Sequence, residues 1–283
     1  MVVARSVSEV REILTRLPRP VSLVPTMGAL HSGHASLIKL ARDRVTKDGS
    51  VVVSIFVNPI QFDRAEDLQS YPRPLEDDLA ICRELGVDLV FAPEKETLYQ
   101  PDHSVLVTES LLSRHLCGAT RPGHFDGVLT IVFKLFNILG PDEAVFGEKD
   151  FQQLALIRRM VRDLDSPVKI VGHPTVREAD GLAMSSRNVR LTCGQRQDAA
   201  RIPRALRAAR DLAVTGQTQA TVYLDCARSH LLRNAPDDFS IDYLQLVDRE
   251  TLQPISVVRG SATLATACYY GEVRLIDHVT LKL

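Results

Sequence analysis

Short apolar runs rich in β-branched residues alternate with amphipathic stretches between Val21 and Val171, and that alternation limits the chain to few folds. Val21–Val24, Val51–Val57, Val87–Phe91, Ala144–Phe146 and Val168–Val171 read as strands. Between them lie stretches with helical spacing: Ser32 to about Arg44, Leu75–Leu85, Val128–Leu139 and Phe151–Leu164. The first of these carries Leu37, Leu40, Ala41 and Val45 on one face. A strand apolar at nearly every position, as Val51–Val57 is, expects cover on both faces. Strands joined through helices imply right-handed crossovers and a mostly parallel sheet. An earlier helix opens at Ser6, paired with Glu9 in a capping-box pattern, and runs to about Leu17, where Pro18 and Pro20 stop it.

The texture changes after about Arg177. Gln195–Val214 and Ala220–Leu232 read as helices, and Ser240–Val247, Ala262–Ala267 and Val273–Leu281 as alternating strands of an antiparallel sheet. A domain boundary therefore falls between residues 173 and 185. The 283 residues suit two domains, and 45 % hydrophobic content is enough for a core. The segment Asn58–Arg73 is a loop candidate.

A formal net charge of −1 gives no long-range field to recruit nucleic acid or an anionic membrane. The 5 cysteines, Cys82, Cys117, Cys193, Cys226 and Cys268, lie far apart without metal or disulfide-framework spacing, which predicts reduced thiols. The first residues lack an apolar signal core, and no apolar run approaches the roughly 20 residues that span a bilayer. A cytoplasmic protein is expected.

Several polar clusters follow the predicted strands, where ligands of open α/β sheets bind. Pro25-Thr26-Met27-Gly28-Ala29-Leu30-His31-Ser32-Gly33-His34 runs from the first strand into a helix. A helix start offers free N–H groups and partial positive charge to phosphate. His31 and His34, at i and i+3, are placed to face one phosphate chain, though such pairs also occur as plain surface residues. No third ligand accompanies them, so metal binding is disfavoured. Gly147-Glu148-Lys149-Asp150-Phe151-Gln152-Gln153 follows a later strand, with Lys149 a phosphate partner. Asp150 and Gln153 fit a helix capping box as well as a site. Ala179-Asp180-Gly181-Leu182-Ala183-Met184-Ser185-Ser186-Arg187-Asn188 suits either a phosphate clamp or a solvated interdomain loop. Asn58-Pro59-Ile60-Gln61-Phe62 offers Gln61 to a hydroxy acid or amino acid, and it also reads as an ordinary post-strand turn. Arg121-Pro122-Gly123-His124-Phe125 reads equally as a turn before a helix.

At these segments, in this order, the chain resembles the pantothenate synthetase family. The match runs from Pro25 to Asn188, and Arg274-Leu275-Ile276-Asp277 adds to it near the C-terminus. The resemblance implies an α/β fold: a Rossmann-like parallel-sheet nucleotide-binding domain, residues 1–176, and a smaller α+β C-terminal lid domain, residues 177–283. It implies ATP with Mg²⁺, pantoate and β-alanine as substrates, and a homodimer, with no metal ligands assigned. For ATP it carries over Met27, Gly28, Ala29, Leu30, His31, Ser32, Gly33, His34, Gly147, Glu148, Lys149, Asp150, Val176, Met184, Ser185, Ser186 and Arg187. Gln61 and Gln153 would hold pantoate, and Gln61 would also serve β-alanine. His34, His31, Lys149, Ser185, Ser186 and Arg187 would be catalytic. The family often has Gly where Asp63 stands, and Cys268-Tyr269-Tyr270-Gly271-Glu272-Val273 also departs from its pattern.

The expected chemistry is ATP-dependent joining of pantoate to β-alanine through an acyl-adenylate, with the histidines and helix N–H groups on the phosphates. Another nucleotidyl transferase, which would ignore β-alanine, is the near rival. A non-catalytic nucleotide-binding protein is the rival from a different class.

Overall fold

A computed structural model describes residues 1–283, which divide into two compact units. The first comprises Met1–Glu109, Arg121–Glu148 and Gln153–Pro174. The second comprises Ser110–Thr120, Lys149–Gln152 and Thr175–Leu283.

The first unit is built on a six-stranded sheet: β1 (Val2–Ala4), β2 (Val21–Thr26), β3 (Ser50–Ile55), β4 (Leu89–Phe91), β5 (Glu143–Gly147) and β6 (Lys169–His173). The order is β1-β4-β3-β2-β5-β6 and every pairing is parallel. This is the expected Rossmann-like sheet. From β2 the chain steps one way to β3 and β4, while β5 and β6 lie on the other side. The β2/β5 neighbourhood is thus the switch point, and its C-terminal edge is where a crevice opens in such sheets. β1 is a finding beyond the sequence reading, since three residues at an edge carry too little periodicity to announce a strand.

The Ser32–Val45 helix buries Leu37, Ile38, Ala41 and Val45 against β2 and β3. Ile38 takes the place expected for Leu40, which is only partly buried. At the helix end Arg44 donates to Glu143 through Nε (2.8 Å to Oε1) and Nη2 (2.7 Å to Oε2). Ser22 Oγ donates to the same carboxylate at 3.0 Å. A buried carboxylate is tolerated because it is fully hydrogen-bonded, and it ties β2, β5 and the helix together at the edge opposite the crevice. The expected Asn58–Arg73 loop holds a 3₁₀ turn, Pro59–Gln61, and a short helix, Ala65–Gln69.

The second unit contains the antiparallel sheet β7 (Phe239–Asp248), β8 (Ser261–Tyr270) and β9 (Val273–Lys282), in that order. The unusual Cys268–Val273 segment joins the end of β8 to the start of β9 through a turn at Gly271, φ +53°. The Arg201–Asp211 and Ala220–Leu232 helices pack Leu206, Tyr223 and Leu231 into the core that the sheet shares. The single helix expected over Gln195–Val214 is instead broken into Cys193–Asp198 and Arg201–Asp211. Pro203 explains the break: it has no N–H to donate to Ala199, and it is accommodated in the first turn of the second piece. No helix is long and apolar enough to cross a membrane.

Candidate functional site

The turn after β2 is held from behind. Thr26 Oγ1 donates to Ser54 O at 2.8 Å and accepts from Gly28 N at 3.2 Å. Gly28 and Ala29 then both take left-handed conformations, φ +79° and +51°. A Cβ on Gly28 would lie 2.8 Å from Asp78 Oδ2, so the close approach requires glycine. Asp78, on the Leu75–Glu84 helix and 1 % exposed, accepts from Ala29 N (Oδ2, 2.9 Å) and Leu30 N (Oδ1, 2.7 Å). Burial pushes its carboxyl above the ordinary value, and the two amides pull it part of the way back.

His31 is the N-cap of the Ser32–Val45 helix. Its Nδ1 accepts from Gly33 N at 3.1 Å, and His34 Nδ1 accepts from His31 N at 3.3 Å. The two imidazoles thus form a capping box of the kind Ser/Thr and Glu/Gln usually make. Their ring centroids are 4.2 Å apart. With Nδ1 an acceptor on both rings, each neutral ring carries its proton on Nε2.

The amides of Gly28, Ala29, Leu30 and His31, which precede the helix, and that of Gly33 within it, are taken by side chains of the same unit.

Gln61 is fixed by a chain of donors. Tyr99 Oη donates to Asn58 Oδ1 at 2.9 Å, and Asn58 Nδ2 donates to Gln61 Oε1 (3.1 Å) and Gly127 O (3.0 Å). Burial pushes the Tyr99 phenol up, which keeps it a donor. Gln61 Nε2 is thereby turned toward Met27 Sδ, 2.8 Å away. Gly127 lets its helix reach this turn, since a Cβ there would lie 2.6 Å from Ile60 O. Asp63, the departure from the family pattern, accepts from Arg121 Nε and Nη2 at 2.9 and 2.7 Å. His124 Nδ1 donates to Gln61 O at 2.7 Å, so the Arg121–His124 segment braces the Gln61 turn. A cavity of ≈ 370 Å³ is lined by Met27, Phe56, Pro59, Asp78 and neighbours.

The structure therefore brings Met27 to Gln61 and His31 to His34. Gly147, Glu148 and Gln153 belong to this first unit as well, whereas Lys149, Asp150, Val176 and Met184–Arg187 belong to the second. The capping box expected of Asp150 and Gln153 is not made: a 3₁₀ turn, Glu148–Asp150, leads directly into the Phe151–Asp163 helix. The Asp150 carboxylate lies 3.9 Å from Lys149 Nζ. In the second unit Met184 N donates to Val176 O at 3.0 Å, and Ser185 Oγ accepts from Arg187 N at 3.2 Å.

Asp78 is the residue the sequence reading missed. Its signal was present: Leu75, Asp78, Leu79 and Cys82 share one helical face, and a charge inside an apolar stripe needs a reason.

The family of pantoate-beta-alanine ligases matches this chain over residues 2–280. The pantothenate synthetase of Akkermansia muciniphila is 52 % identical, over 92 % of this chain and 92 % of that protein. That of Solidesulfovibrio magneticus is 48 % identical, over 98 % and 97 %. The crystal structure of pantothenate synthetase from Thermus thermophilus superposes with TM-score 0.92 at 45 % identity, covering 99 % of each chain. The pantoate-beta-alanine ligase of Francisella tularensis, complexed with beta-gamma ATP and beta-alanine, superposes with TM-score 0.79 at 34 % identity, covering 99 % of this chain and 97 % of that one.

The Asp63–Arg121 pair gives a pH signature. Burial alone would raise the Asp63 carboxyl, but the hydrogen bonds and charge of Arg121 outweigh it and hold it below its ordinary value of 3.8. An acid whose folded pKa is depressed adds stability above its unfolded pKa and loses it as pH falls through the folded one. Asp63→Asn should therefore lower the urea midpoint at neutral pH, and the gap to wild type should close below about pH 3.8. A gap that stays constant into acid would contradict the pairing.

Proposed function

The chain belongs to the pantoate-beta-alanine ligase family of enzymes, and from that premise we propose that it condenses (R)-pantoate with β-alanine, using ATP and forming a pantoyl-adenylate. A carboxylate does not react with an amine near neutral pH, because it is an anion with a poor leaving group. In the proposed first step a pantoate carboxylate oxygen attacks the α-phosphorus of ATP, and the bond to diphosphate breaks. In the second the neutral amine of β-alanine attacks the acyl carbon. The acyl C–O bond breaks, and AMP leaves with that oxygen.

The observation that carries this reading is the histidine capping box. It fixes the tautomer of His31 and His34, so that two Nε2–H donors are pre-oriented on the turn after β2, at the switch point. Donors fixed before charge develops need no reorganisation in the transition state. Lys149, Ser185, Ser186 and Arg187 would add donors to the phosphates, with Glu148, Val176 and Met184 among the ATP contacts. Gln61, its amide orientation set by Asn58, would hold pantoate with Gln153 and meet β-alanine. The cavity beside Met27 and Phe56 adjoins the Gln61 turn through Met27 and Pro59, and it has room for a small acid. Holding the reactants together and keeping water from the anhydride would supply much of the acceleration.

No group of three or more His, Cys, Asp or Glu side chains that could hold a metal occurs in the chain. Mg²⁺ would accompany the ATP phosphates, and the Gly147–Asp150 turn offers it two carboxylates, Glu148 and Asp150. When bound it would neutralise phosphate charge. The free thiols of the cysteines support a reducing, cytoplasmic setting, and the homodimer implied by the family belongs to the same reading.

The test is the fate of oxygen. Pantoate labelled with ¹⁸O in its carboxylate is incubated with ATP, Mg²⁺ and β-alanine, and each component is omitted in turn. Pantothenate formed only in the full mixture, with label in AMP, is the expected result. Unlabelled AMP, or ADP instead, would contradict the adenylate route. A second prediction separates capping from chemistry. His31→Asn keeps an acceptor near the Nδ1 position and so keeps the helix cap, but it loses the Nε2–H donor. Thermal stability should be retained while turnover falls on the order of 10²–10³-fold. Wild-type turnover would remove His31 from the mechanism.

A further inference from the structure

Ser185, Ser186 and Arg187 open the 3₁₀ helix Ser186–Arg190, which directly follows a small hairpin within the second unit. Arg177 and Ala183 form an antiparallel bridge. Glu178 N donates to Leu182 O at 2.8 Å and Met184 N to Val176 O at 3.0 Å. Gly181 turns its tip at φ +94°. On one side Arg177 grips Asp277 of β9 with both Nη atoms, at 2.7 and 2.9 Å.

On the other side the grip comes from outside the motif. Arg196, on the Cys193–Asp198 helix, donates Nη1 to Asp180 Oδ2 at 2.6 Å and Nη2 to Glu178 Oε2. The other oxygen of Glu178 accepts from Asn188 Nδ2 at 2.7 Å, and the same Nδ2 donates to Ala183 O at 3.1 Å. Ala183 and Asn188 flank the residues 184–187. The relay Arg196–Glu178–Asn188 thus pins both ends of the segment. Its helix is itself anchored, by the Thr192/Gln195 capping box and by Gln195 Nε2 donating to Asp238 Oδ2 at 2.6 Å. A guanidinium is needed because one planar fork serves two carboxylates at once, which a lysine ammonium does poorly.

We infer that Arg196 is a positioning residue for ATP use: through Glu178 and Asn188 it sets the geometry of Ser185, Ser186 and Arg187. The inference rests on the reading of those three as phosphate donors. Misplacing such groups by about 1 Å costs on the order of 10²-fold even when the change is remote from the chemistry.

The test compares steady-state kinetics of the wild type, Arg196→Gln, Arg196→Lys and Arg187→Ala. Arg196→Gln should lower kcat/KM for ATP on the order of 10²-fold while leaving KM for pantoate and β-alanine near wild type. Arg196→Lys should recover part of the loss. Where Arg196→Gln does not fold, Glu178→Gln, which keeps the acceptor for Asn188 but weakens the grip of Arg196, should give the same split in milder form. If Arg187→Ala impairs ATP use and the Arg196 and Glu178 variants leave it untouched, the inference is overturned. An equal loss for all three substrates alongside a lower melting temperature would also overturn it, because that marks a merely structural residue. If Arg187→Ala itself leaves ATP use unchanged, the underlying assignment of the clamp fails instead.

Discussion

The amides of Ala29 and Leu30 end on the carboxylate of Asp78, and much of the site geometry depends on that contact. It holds two consecutive left-handed residues directly after β2, and so determines where His31 begins the next helix. The amides of His31 and Gly33 are taken by side chains as well, so the loop is held by its own unit, and the two imidazoles are the donors proposed for phosphate. Donors that are already oriented lose less on reorganisation than a mobile loop would.

The same device recurs in both units: the residue proposed to meet substrate is oriented by a buried or half-buried partner elsewhere in the chain. Tyr99 and Asn58 set the amide of Gln61. Arg121 and His124 brace the backbone of that turn. Arg177 and Arg196 grip the hairpin that leads into Ser185–Arg187. Such supporting groups make a site stiff, and stiffness is what positioning catalysis needs.

Most strands and helices were legible in the sequence because each buried face imposes a period. The parallel sheet followed from β-branched runs between helical stretches, and the antiparallel sheet of the second unit from alternation. What failed to show lies where a local rule competes with tertiary contact. β1 is three residues at an edge, too short for any period. The helix from Gln195 onward read as continuous because its apolar spacing survives the interruption at Pro203. Asp150 and Gln153 fit a capping pattern, but a preceding 3₁₀ turn removes the geometry it needs. The histidine pair was visible as a motif; that the rings cap each other's turn was not, because imidazoles seldom do so. Asp78 could have been found as the lone charge on the Leu75–Cys82 face, and Arg196 could not, since its partners lie across a fold of the chain.

We propose that the first unit meets phosphate through the imidazole Nε2–H groups of His31 and His34. Side-chain ¹⁵N spectra of His31 and His34, recorded with and without a non-hydrolysable ATP analogue, test it most directly. Both rings should be Nε2–H tautomers in the free protein, with nucleotide shifting the Nε2–H signals and leaving the amide protons of Ala29 and Leu30 nearly unmoved. Nδ1–H tautomers, or large shifts of those two amides with silent imidazoles, would contradict it.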